Sequence, residues 1–249
     1  MDNILHLAST VSTNEDAYRL AVDGAKHGFS VLTDVQTGGK GRLGRQWITP
    51  LQTGLCASII LRPKLPFVEF PRITLTAGLA LCKTIEELTG LDTFGLKWPN
   101  DLYCDGKKCG GILVESSSPV ASNEESFVVV GIGLNVNSRL DDFPLELRET
   151  VTSLLIQTTK CYSIEDIFAQ LHDSLLSFLK IQEEQGFGVI LDEWRKRDVL
   201  YGKEMQWLTT EKQVITGTGL GPDDSGQLLV RDREGNRHMI LSGDVSLKK

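Results

Sequence analysis

Residues 95–115 have the sequence GLKWPNDLYCDGKKCGGILVE, and this stretch predicts a β-hairpin. Asp105–Gly106 is the strongest short turn signal in the chain, because both residue types tolerate the positive φ angles of a tight hairpin turn. Strands are therefore predicted over Gly95–Cys104 and Lys107–Glu115. The hairpin carries two candidate functional motifs, KWPND in its first strand and a lysine–glycine segment in its second.

Helices and further strands are predicted on both sides of this hairpin. Apolar residues that recur every three or four positions indicate the helices, and short β-branched runs indicate the strands. The predicted helices are Thr10–His27, Pro71–Leu88, Ser163–Gln185 and Phe187–Arg197. The other predicted strands are Phe29–Gln36, Gly54–Leu61 and Ser126–Asn137. These elements predict a mixed α/β domain over residues 1–199.

Residues 200–249 differ in texture from the rest of the chain. Short runs rich in Gly, Thr, Val and Asp are separated by turns at Pro222–Gly226 and Glu234–Asn236. The predicted strands are Glu204–Thr209, Gln213–Gly219, Gln227–Asp232 and Arg237–Leu241. This pattern is typical of a small all-β domain, which we expect to close as a barrel.

Composition and charge exclude several classes of protein. The 249 residues contain 26 Lys and Arg against 33 Asp and Glu, and the resulting charge of −7 argues against general binding to nucleic acid. No apolar run is long enough to span a bilayer. The N-terminus lacks the basic and apolar regions of a secretion signal, so none is expected. We therefore expect a cytoplasmic protein without membrane contact.

The cysteines and histidines indicate a reduced protein without a metal site of its own. The five cysteines, at 56, 82, 104, 109 and 161, form no C-x-x-C pair. A disulfide between Cys104 and Cys109 is an alternative, but reduced thiols are expected in the cytoplasm. The four histidines are scattered along the chain, so no zinc site is predicted.

The segment Gly39–Arg45 has the sequence GKGRLGR, with three cations among three glycines. It satisfies G-x-G-x-x-G, but a Rossmann site needs a helix to begin at the third glycine, and Pro50 soon blocks one. It is not a P-loop either, because no Ser or Thr follows Lys40. Glycines allow close backbone approach and arginines bind phosphate or carboxylate, so an anion site is predicted. The alternative is a solvated basic turn.

Each hairpin motif has a functional and a structural interpretation. Pro99 favours an extended Trp98, so Asn100 and Asp101 offer two short polar side chains at a fixed place. Of these, Asp101 can hold a metal-bound phosphate or an arginine. The alternative for KWPND is an Asx turn at a strand bend. In the second strand, Lys108 lies close to two glycines that leave space for a ligand. The alternative is a bulge from which Lys108 points to water.

Three further features can be interpreted either as functional or as structural. Gly131 and Gly133 fall on one face of a predicted strand, and this bare strip suggests close approach by a ligand or a tightly packed strand pair. Ser12–Asn14 lie at a strand-to-helix junction, where a helix cap is the ordinary interpretation. Trp47 follows the basic loop and is either a core aromatic or a surface on which a purine stacks.

Taken in order, these segments resemble the biotin protein ligase family. The matching motifs are Ser-Thr-Asn at 12–14, Gln36, Gly-Lys-Gly-Arg-x-Gly-Arg-x-Trp from Gly39 to Trp47, Lys-Trp-Pro-Asn-Asp at 97–101, Lys-x-x-Gly-Ile-Leu at 108–113 and Gly-Ile-Gly-Leu-Asn-Val-Asn at 131–137. The resemblance implies an α+β fold with a mixed, largely antiparallel sheet flanked by helices, related to class II aminoacyl-tRNA synthetases and lipoate ligases. It also implies an SH3-like β-barrel at residues 200–249.

The resemblance implies a reaction and a site as well. Biotin would be activated with ATP to biotinyl-5′-AMP and transferred to a lysine of the biotin carboxyl carrier protein of acetyl-CoA carboxylase. Mg²⁺ is expected with ATP, with Asp101 as its protein-side helper. The implied catalytic residues are Lys108, Arg42 and Arg45. The implied binding residues are Ser12, Thr13, Asn14, Gln36, Gly39, Lys40, Gly41, Arg42, Trp47, Asn100, Asp101, Lys108, Gly111, Gly131, Gly133 and Asn135.

Two departures from the family pattern lead to expectations of their own. Many bacterial members have Arg where this chain has Lys40, so the positive charge is kept while a bidentate contact is lost. Ser12 is so near the N-terminus that we expect a monofunctional ligase, without the DNA-binding domain of the ligase–repressors. The sequence leaves monomer and homodimer open.

Two other functions stay open on the sequence alone. A lipoate or octanoate protein ligase or transferase has the same fold, although KWPND and the GKGR loop favour biotin. A non-catalytic sensor that binds biotin or adenylate is the other, and the intact Lys108 and loop arginines argue against it.

Overall fold

The computed structural model describes residues 3–50, 52–117, 126–209, 214–240 and 243–247, and a seven-stranded sheet forms its centre. The strands are β1 (Ile4–Leu7), β2 (Ser30–Thr33), β3 (Gly54–Leu61), β4 (Phe94–Lys97), β5 (Asp101–Cys104), β6 (Lys107–Ser116) and β7 (Val128–Asn135). Their order across the sheet is β1-β2-β3-β7-β6-β5-β4. The β1–β2 pair is parallel and the other pairs are antiparallel, which confirms the mixed, largely antiparallel sheet.

Helices cover both faces of this sheet. They are α1 (Thr13–Val22), α2 (Ile73–Thr89), α3 (Leu154–Thr158), α4 (Ile164–Gln185) and α5 (Phe187–Arg195). Successive residues of a strand face opposite sides, so Val130 lies in a large core with α2, α4 and α5, whereas Val129 packs against α1. Burial on both faces explains why β3 and β7 are so apolar. None of the described helices is long and apolar enough to cross a membrane.

Capping residues and glycines predict where the helices begin and end more accurately than the periodicity of the apolar residues. Ser163 caps α4, since its hydroxyl accepts a hydrogen bond from the Asp166 N–H at 3.1 Å. Gly90 ends α2 in the left-handed conformation that glycine adopts without a steric penalty. The predicted helix over Thr10–His27 was too long at both ends, and Pro71 belongs to a 3₁₀ turn before α2.

The strand predicted over Gly95–Cys104 is in fact two strands. The Trp98–Pro99 peptide is cis, and the chain reverses there so that Lys97 of β4 pairs with Asp101 of β5. Pro99 has no N–H to donate to a strand ladder, so KWPND forms a bend between two strands. The second turn lies at Asp105–Gly106, as predicted, and both residues have positive φ.

The C-terminal residues form a separate antiparallel sheet. Its strands are β8 (Glu204–Thr209), β9 (Val214–Pro222), β10 (Leu228–Asp232), β11 (Arg237–Ile240) and β12 (Gly243–Leu247), in the order β11-β10-β9-β8-β12. The first four match predicted strands, and β12 lies beyond them. Within the described residues, β11 and β12 are the two edges of this sheet, so its closure into an SH3-like barrel stays a prediction.

The C-terminal sheet contacts the β4–β5 bend and the end of α5. The Trp98 indole N–H donates to the Gly226 carbonyl at 3.0 Å, and the Arg195 guanidinium donates to the Pro222 carbonyl at 2.8 Å and 3.0 Å. Asp198 bridges to Leu96 at the edge of β4. The division of the chain into domains 1–199 and 200–249 stays a prediction.

Asp198 is a partly exposed residue at this junction, with one carboxylate oxygen fully buried. Its Oδ1 accepts a hydrogen bond from the Leu200 N–H at 2.8 Å, and its Oδ2 is buried without a hydrogen-bond partner among the described residues. Burial disfavours the charged form and raises the pKa of Asp198 to about 6. The folded protein therefore holds this proton more tightly than the unfolded chain does.

Because the pKa of Asp198 is raised on folding, we expect its contribution to stability to fall as the pH rises from about 4 to about 6. Asp198→Asn should abolish this slope and raise the free energy of unfolding near pH 7.5 by about 2 kcal/mol. Urea denaturation between pH 4 and pH 8 measures both effects. Asp92→Asn, at an exposed position, is the control. Parallel stability curves for Asp198→Asn and the parent would contradict the prediction.

Candidate functional site

A cleft lies on the α1 side of the central sheet, between the N-terminus of α1, the glycine-rich loop and the β4–β5 bend. It encloses about 930 Å³ of empty space, part of which is open solvent. The predicted site residues that line it are Ser12, Thr13, Asn14, Gln36, Lys40, Gly41, Arg42, Arg45, Trp47, Asn100, Asp101, Lys108, Gly111, Gly131 and Gly133. Segments far apart in sequence are thus brought into one concave surface.

The first wall of the cleft is the N-terminus of α1. Gln36 Oε1 accepts hydrogen bonds from the Thr13 N–H at 2.9 Å and from the Thr13 hydroxyl at 3.2 Å. Ser12 is the N-cap residue, but its side chain makes no capping hydrogen bond. The segment is therefore more than a helix cap, because its polar side chains are buried against the sheet and border the cleft.

The glycine-rich loop forms the second wall. Leu43 and Gly44 both have positive φ, so the loop turns sharply and its cations project from a tight curve. The Arg42 guanidinium donates to Asn100 Oδ1 at 3.1 Å, which ties the loop to the β4–β5 bend. Lys40 Nζ lies 2.6 Å from Glu15 Oε1 of α1, and this pairing raises the pKa of Lys40 and lowers that of Glu15.

Lys108 and Asp101 form an ion pair at the base of the cleft. Lys108 Nζ lies 2.7 Å from Asp101 Oδ1, and both side chains are only partly exposed. Gly111 makes room for the pair, since a Cβ there would lie 3.3 Å from each of these two atoms. The ammonium also lies 5.5 Å from the centroid of the Trp47 ring, a distance at which a cation interacts favourably with an aromatic face.

The glycines of β7 have a different role from the one suggested by their spacing. A Cβ at Gly131 would lie 2.1 Å from Asn14 Oδ1, and a Cβ at Gly133 would lie 2.3 Å from Trp47 Cε2. Side chains of the chain itself, rather than empty space, therefore lie over these two positions. Both glycines still line the cleft, together with Asn14 and Trp47.

Two predicted site residues do not line the cleft. Asn135 is buried behind it, and its amide nitrogen donates to the Thr152 carbonyl at 2.9 Å. A Cβ at Gly39 would lie 2.4 Å from the Trp47 carbonyl oxygen, so Gly39 allows the two ends of the loop to pack together. The ligand contacts assigned to these two residues stay predictions.

Sequence reasoning missed two polar residues beneath the cleft. Ser58 is fully buried in β3 and its hydroxyl contacts both Thr13 Oγ1 and Asn14 Oδ1. Glu115 accepts a hydrogen bond from the Asn14 amide nitrogen at 2.8 Å. Ser58 could have been noticed as the one hydroxyl in the apolar run GLCASIIL, and Glu115 as an acid that ends the apolar run ILV.

The cysteines and the metal-binding residue types add no second site to the described part of the chain. Cys104 and Cys109 are buried free thiols, and burial raises the pKa of both, so they have little thiolate character. The residues that the structure describes contain no group of three or more His, Cys, Asp and Glu able to hold a metal ion.

Comparison with known families gives matches to both parts of the chain. A model described as the biotin/lipoate A/B protein ligase family matches residues 7–135. A second model, described as the biotin protein ligase C terminal domain, matches residues 202–248. Together these matches include both the cleft and the C-terminal sheet.

Individual proteins match over almost the whole chain. The bifunctional ligase/repressor BirA of Bacillus spizizenii is 36% identical over 239 residues, which are 95% of this chain and 71% of that protein. The biotin–[acetyl-CoA-carboxylase] ligase of Paracoccus denitrificans is 30% identical over 241 residues, 96% of this chain and 98% of that one. The biotin protein ligase from Aquifex aeolicus, solved in complex with biotin and ATP, matches with a TM-score of 0.83 and 32% identity over 100% of both chains.

The packing of Trp47 on Gly133 gives a test of the cleft geometry. Gly133→Ala should displace the indole ring and lower the free energy of unfolding by about 1–3 kcal/mol, because the new methyl group overlaps the ring. Gly188→Ala in α5 is the matched control, since its Cβ would meet no atom within 4 Å and alanine favours a helix. Urea denaturation measures both variants. Equal stability of Gly133→Ala and the parent would contradict the packing.

Proposed function

Because the chain belongs to the biotin/lipoate A/B protein ligase family, we propose that it activates biotin with ATP and transfers it to a carrier protein. The observation that carries this proposal is the ion pair at the base of the cleft, where Lys108 Nζ lies 2.7 Å from Asp101 Oδ1. The cation of this pair and the cations of the glycine-rich loop line the same cleft. Such an arrangement suits a reaction that joins two anions.

In the first step, a carboxylate oxygen of biotin attacks the α-phosphorus of ATP. The new O–P bond gives biotinyl-5′-AMP, and the bond to the β-phosphate breaks so that pyrophosphate leaves. Both reactants are negatively charged, and charge builds up on the phosphoryl oxygens. Lys108 stabilises this charge from the base of the cleft, while Arg42 and Arg45 hold phosphate oxygens from the loop. Lys40 supports them.

In the second step, a lysine amine of the carrier attacks the carbonyl carbon of the mixed anhydride. The C–N bond forms, the C–O bond to the phosphate breaks, AMP leaves with the electron pair, and the amine nitrogen gives up one proton to solvent. Negative charge develops on the carbonyl oxygen, which lies next to the phosphate that Lys108 already contacts. The same ammonium therefore serves both steps.

The N-terminus of α1 holds the ring end of biotin. Ureido groups have both N–H donors and a carbonyl acceptor, and Ser12, Thr13 and Gln36 offer complementary groups at the opposite end of the cleft from Lys108. The glycine-rich loop closes over the adenylate and excludes the water that would hydrolyse it. Trp47 and the loop backbone at Gly41 border the nucleotide.

We propose that the metal ion expected with ATP is held mainly by phosphate oxygens. Magnesium binds oxygen ligands and often uses only one or two protein carboxylates. Asp101 is the carboxylate nearest to the proposed phosphate position, but one of its oxygens already contacts Lys108. When bound, the ion would neutralise phosphate charge, and Asp101 would assist it from the protein side.

The remaining expectations concern the partner and the assembly. The relative from Paracoccus denitrificans is named for acetyl-CoA carboxylase, which supports a carboxylase carrier domain as the protein substrate. We propose that residues 1–199 form the catalytic domain and that residues 200–249 form an SH3-like domain docked beside the cleft through Trp98. A cytoplasmic location, the absence of DNA and membrane binding, and a monomeric or homodimeric state stay predictions.

Lys108→Ala should slow biotin-dependent exchange between ATP and pyrophosphate by about 10²–10³-fold, because it removes the cation at the reacting oxygens. The fold should be retained, since the side chain is partly exposed. Lys107→Ala, at the adjacent position of β6, is the matched control and should keep the activity of the parent. Exchange without biotin, or with lipoate in its place, tests the substrate class. Undiminished exchange by Lys108→Ala would refute the role of Lys108.

Arg42→Ala should release biotinyl-5′-AMP at least about tenfold faster than the parent, because the loop loses both a phosphate contact and its tie to Asn100. Rapid filtration of enzyme loaded with labelled biotin and ATP measures the release. Arg139→Ala, at an exposed position outside the loop, is the control. Equal release rates for Arg42→Ala and the parent would show that the loop does not retain the adenylate.

A further inference from the structure

We propose that Glu115, a residue of β6 that lies outside the predicted site, positions the biotin-binding end of the cleft through Asn14. The inference rests on the ligase function proposed above and assigns a new positioning residue to it. It also gives Asn14 a role other than direct contact with the ligand. One chain of hydrogen bonds connects Glu115 to Gln36 through Asn14, Ser58 and Thr13.

The chain begins in a row of residues across the sheet. Ser58 of β3 pairs with Gly131 of β7, and Gly131 pairs with Leu113 of β6. The Asn14 side chain extends from the first turn of α1 and lies over Gly131. A glycine is required at this position, because a Cβ there would lie 2.1 Å from Asn14 Oδ1. Glu115 is two residues beyond Leu113 and therefore lies on the same face of the sheet.

The neighbours of Asn14 fix the orientation of its amide. The nitrogen donates to Glu115 Oε2 at 2.8 Å and to the Leu113 carbonyl at 3.3 Å. The oxygen accepts from the Ser58 hydroxyl at 2.6 Å. Because a carboxylate and a carbonyl can only accept, the amide nitrogen must face them. Both of its donors are thus used within the protein, which identifies Asn14 as an anchor of α1.

The amide orientation determines where the neighbouring hydroxyl protons point. Ser58 has a single proton, and the Asn14 oxygen lies nearer to it than Thr13 Oγ1, at 2.6 Å against 2.8 Å. The Thr13 hydroxyl donates its proton to Gln36 Oε1 at 3.2 Å. What the Thr13 hydroxyl offers to the cleft is therefore a lone pair, which accepts from a ureido N–H.

Loss of the Glu115 carboxylate would loosen this arrangement at its origin. The Asn14 nitrogen would keep only the longer of its two acceptors, the Leu113 carbonyl at 3.3 Å. The Asn14 amide could then rotate, and the Ser58 proton could turn toward Thr13. The lone pair that the Thr13 hydroxyl presents to the ureido group would then no longer be held in place. The effect on biotin binding should exceed the effect on ATP binding, because Glu115 contacts Asn14 directly and acts on the loop only through its charge near Lys40.

The test is biotin-dependent exchange between ATP and pyrophosphate by the full chain. Glu115→Ala should raise KM for biotin about tenfold, as expected for the loss of one charge-assisted hydrogen bond, with KM for ATP within about twofold of the parent. Glu115→Gln should stay close to the parent, because its amide oxygen still accepts from Asn14. Glu146→Ala, at an exposed position, is the control for the loss of a carboxylate.

A second test, which exchanges the amide and the carboxylate between positions 14 and 115, applies if Glu115→Ala does not fold. Asn14→Asp places two carboxylates face to face and should raise KM for biotin. The double variant Asn14→Asp with Glu115→Gln restores an amide–carboxylate hydrogen bond with donor and acceptor exchanged, and should recover at least part of the loss.

Three results would overturn the positioning role while the parent remains active. The first is an unchanged KM for biotin in Glu115→Ala, and the second is an equal rise in its KM values for biotin and ATP. The third is a double variant no better than Asn14→Asp alone. Absence of exchange in the parent enzyme would instead refute the ligase function on which the inference rests.

Discussion

The ion pair between Lys108 and Asp101 is the interaction on which the rest of the site depends. Asp101 lies opposite Gly111 in the β5–β6 pairing, and a register shift between Leu102 and Tyr103 marks a bulge in the hairpin. Lys108 reaches back over Gly111 to the carboxylate because no side chain stands between them. The carboxylate balances the charge of the ammonium while leaving it at the surface of the cleft. In the reaction that we propose, the anions meet a cation whose position is set by the ion pair before they bind.

The central sheet gives this ion pair a rigid base. One face carries the large apolar core with α2, α4 and α5, and the other carries α1 and the cleft. Glycines in β6 and β7 let polar side chains from α1, the loop and the sheet itself approach the backbone closely. Glycine thus makes room for the Lys108–Asp101 ion pair at Gly111 and for the Asn14 side chain at Gly131. The strands hold these polar groups, and the glycine-rich loop forms the facing wall of the cleft.

The sequence predicted the architecture well and the geometry of individual positions less well. The turn at Asp105–Gly106 and the cap at Ser163 depend on a few neighbouring residues, so local rules were sufficient. The reversal of the chain at Trp98–Pro99 was not predicted, because the sequence is the same whether the peptide bond before a proline is cis or trans. Gly131 was expected to face a ligand and instead faces Asn14, a residue more than a hundred positions away. Such a contact depends on tertiary packing, which no local pattern encodes. The roles of Ser58 and Glu115 were missed for the same reason.

The central claim is that an acyl-adenylate forms between the flexible cationic loop and the glycine-bearing strands, next to Lys108. A crystal structure of the chain with biotinyl-5′-AMP tests it most directly. The account predicts that the ligand occupies the cleft, with the ureido ring beside Thr13 and Gln36 and the anhydride oxygens within hydrogen-bonding distance of Lys108 Nζ. A structure in which the ligand lies elsewhere and the cleft stays empty would contradict it.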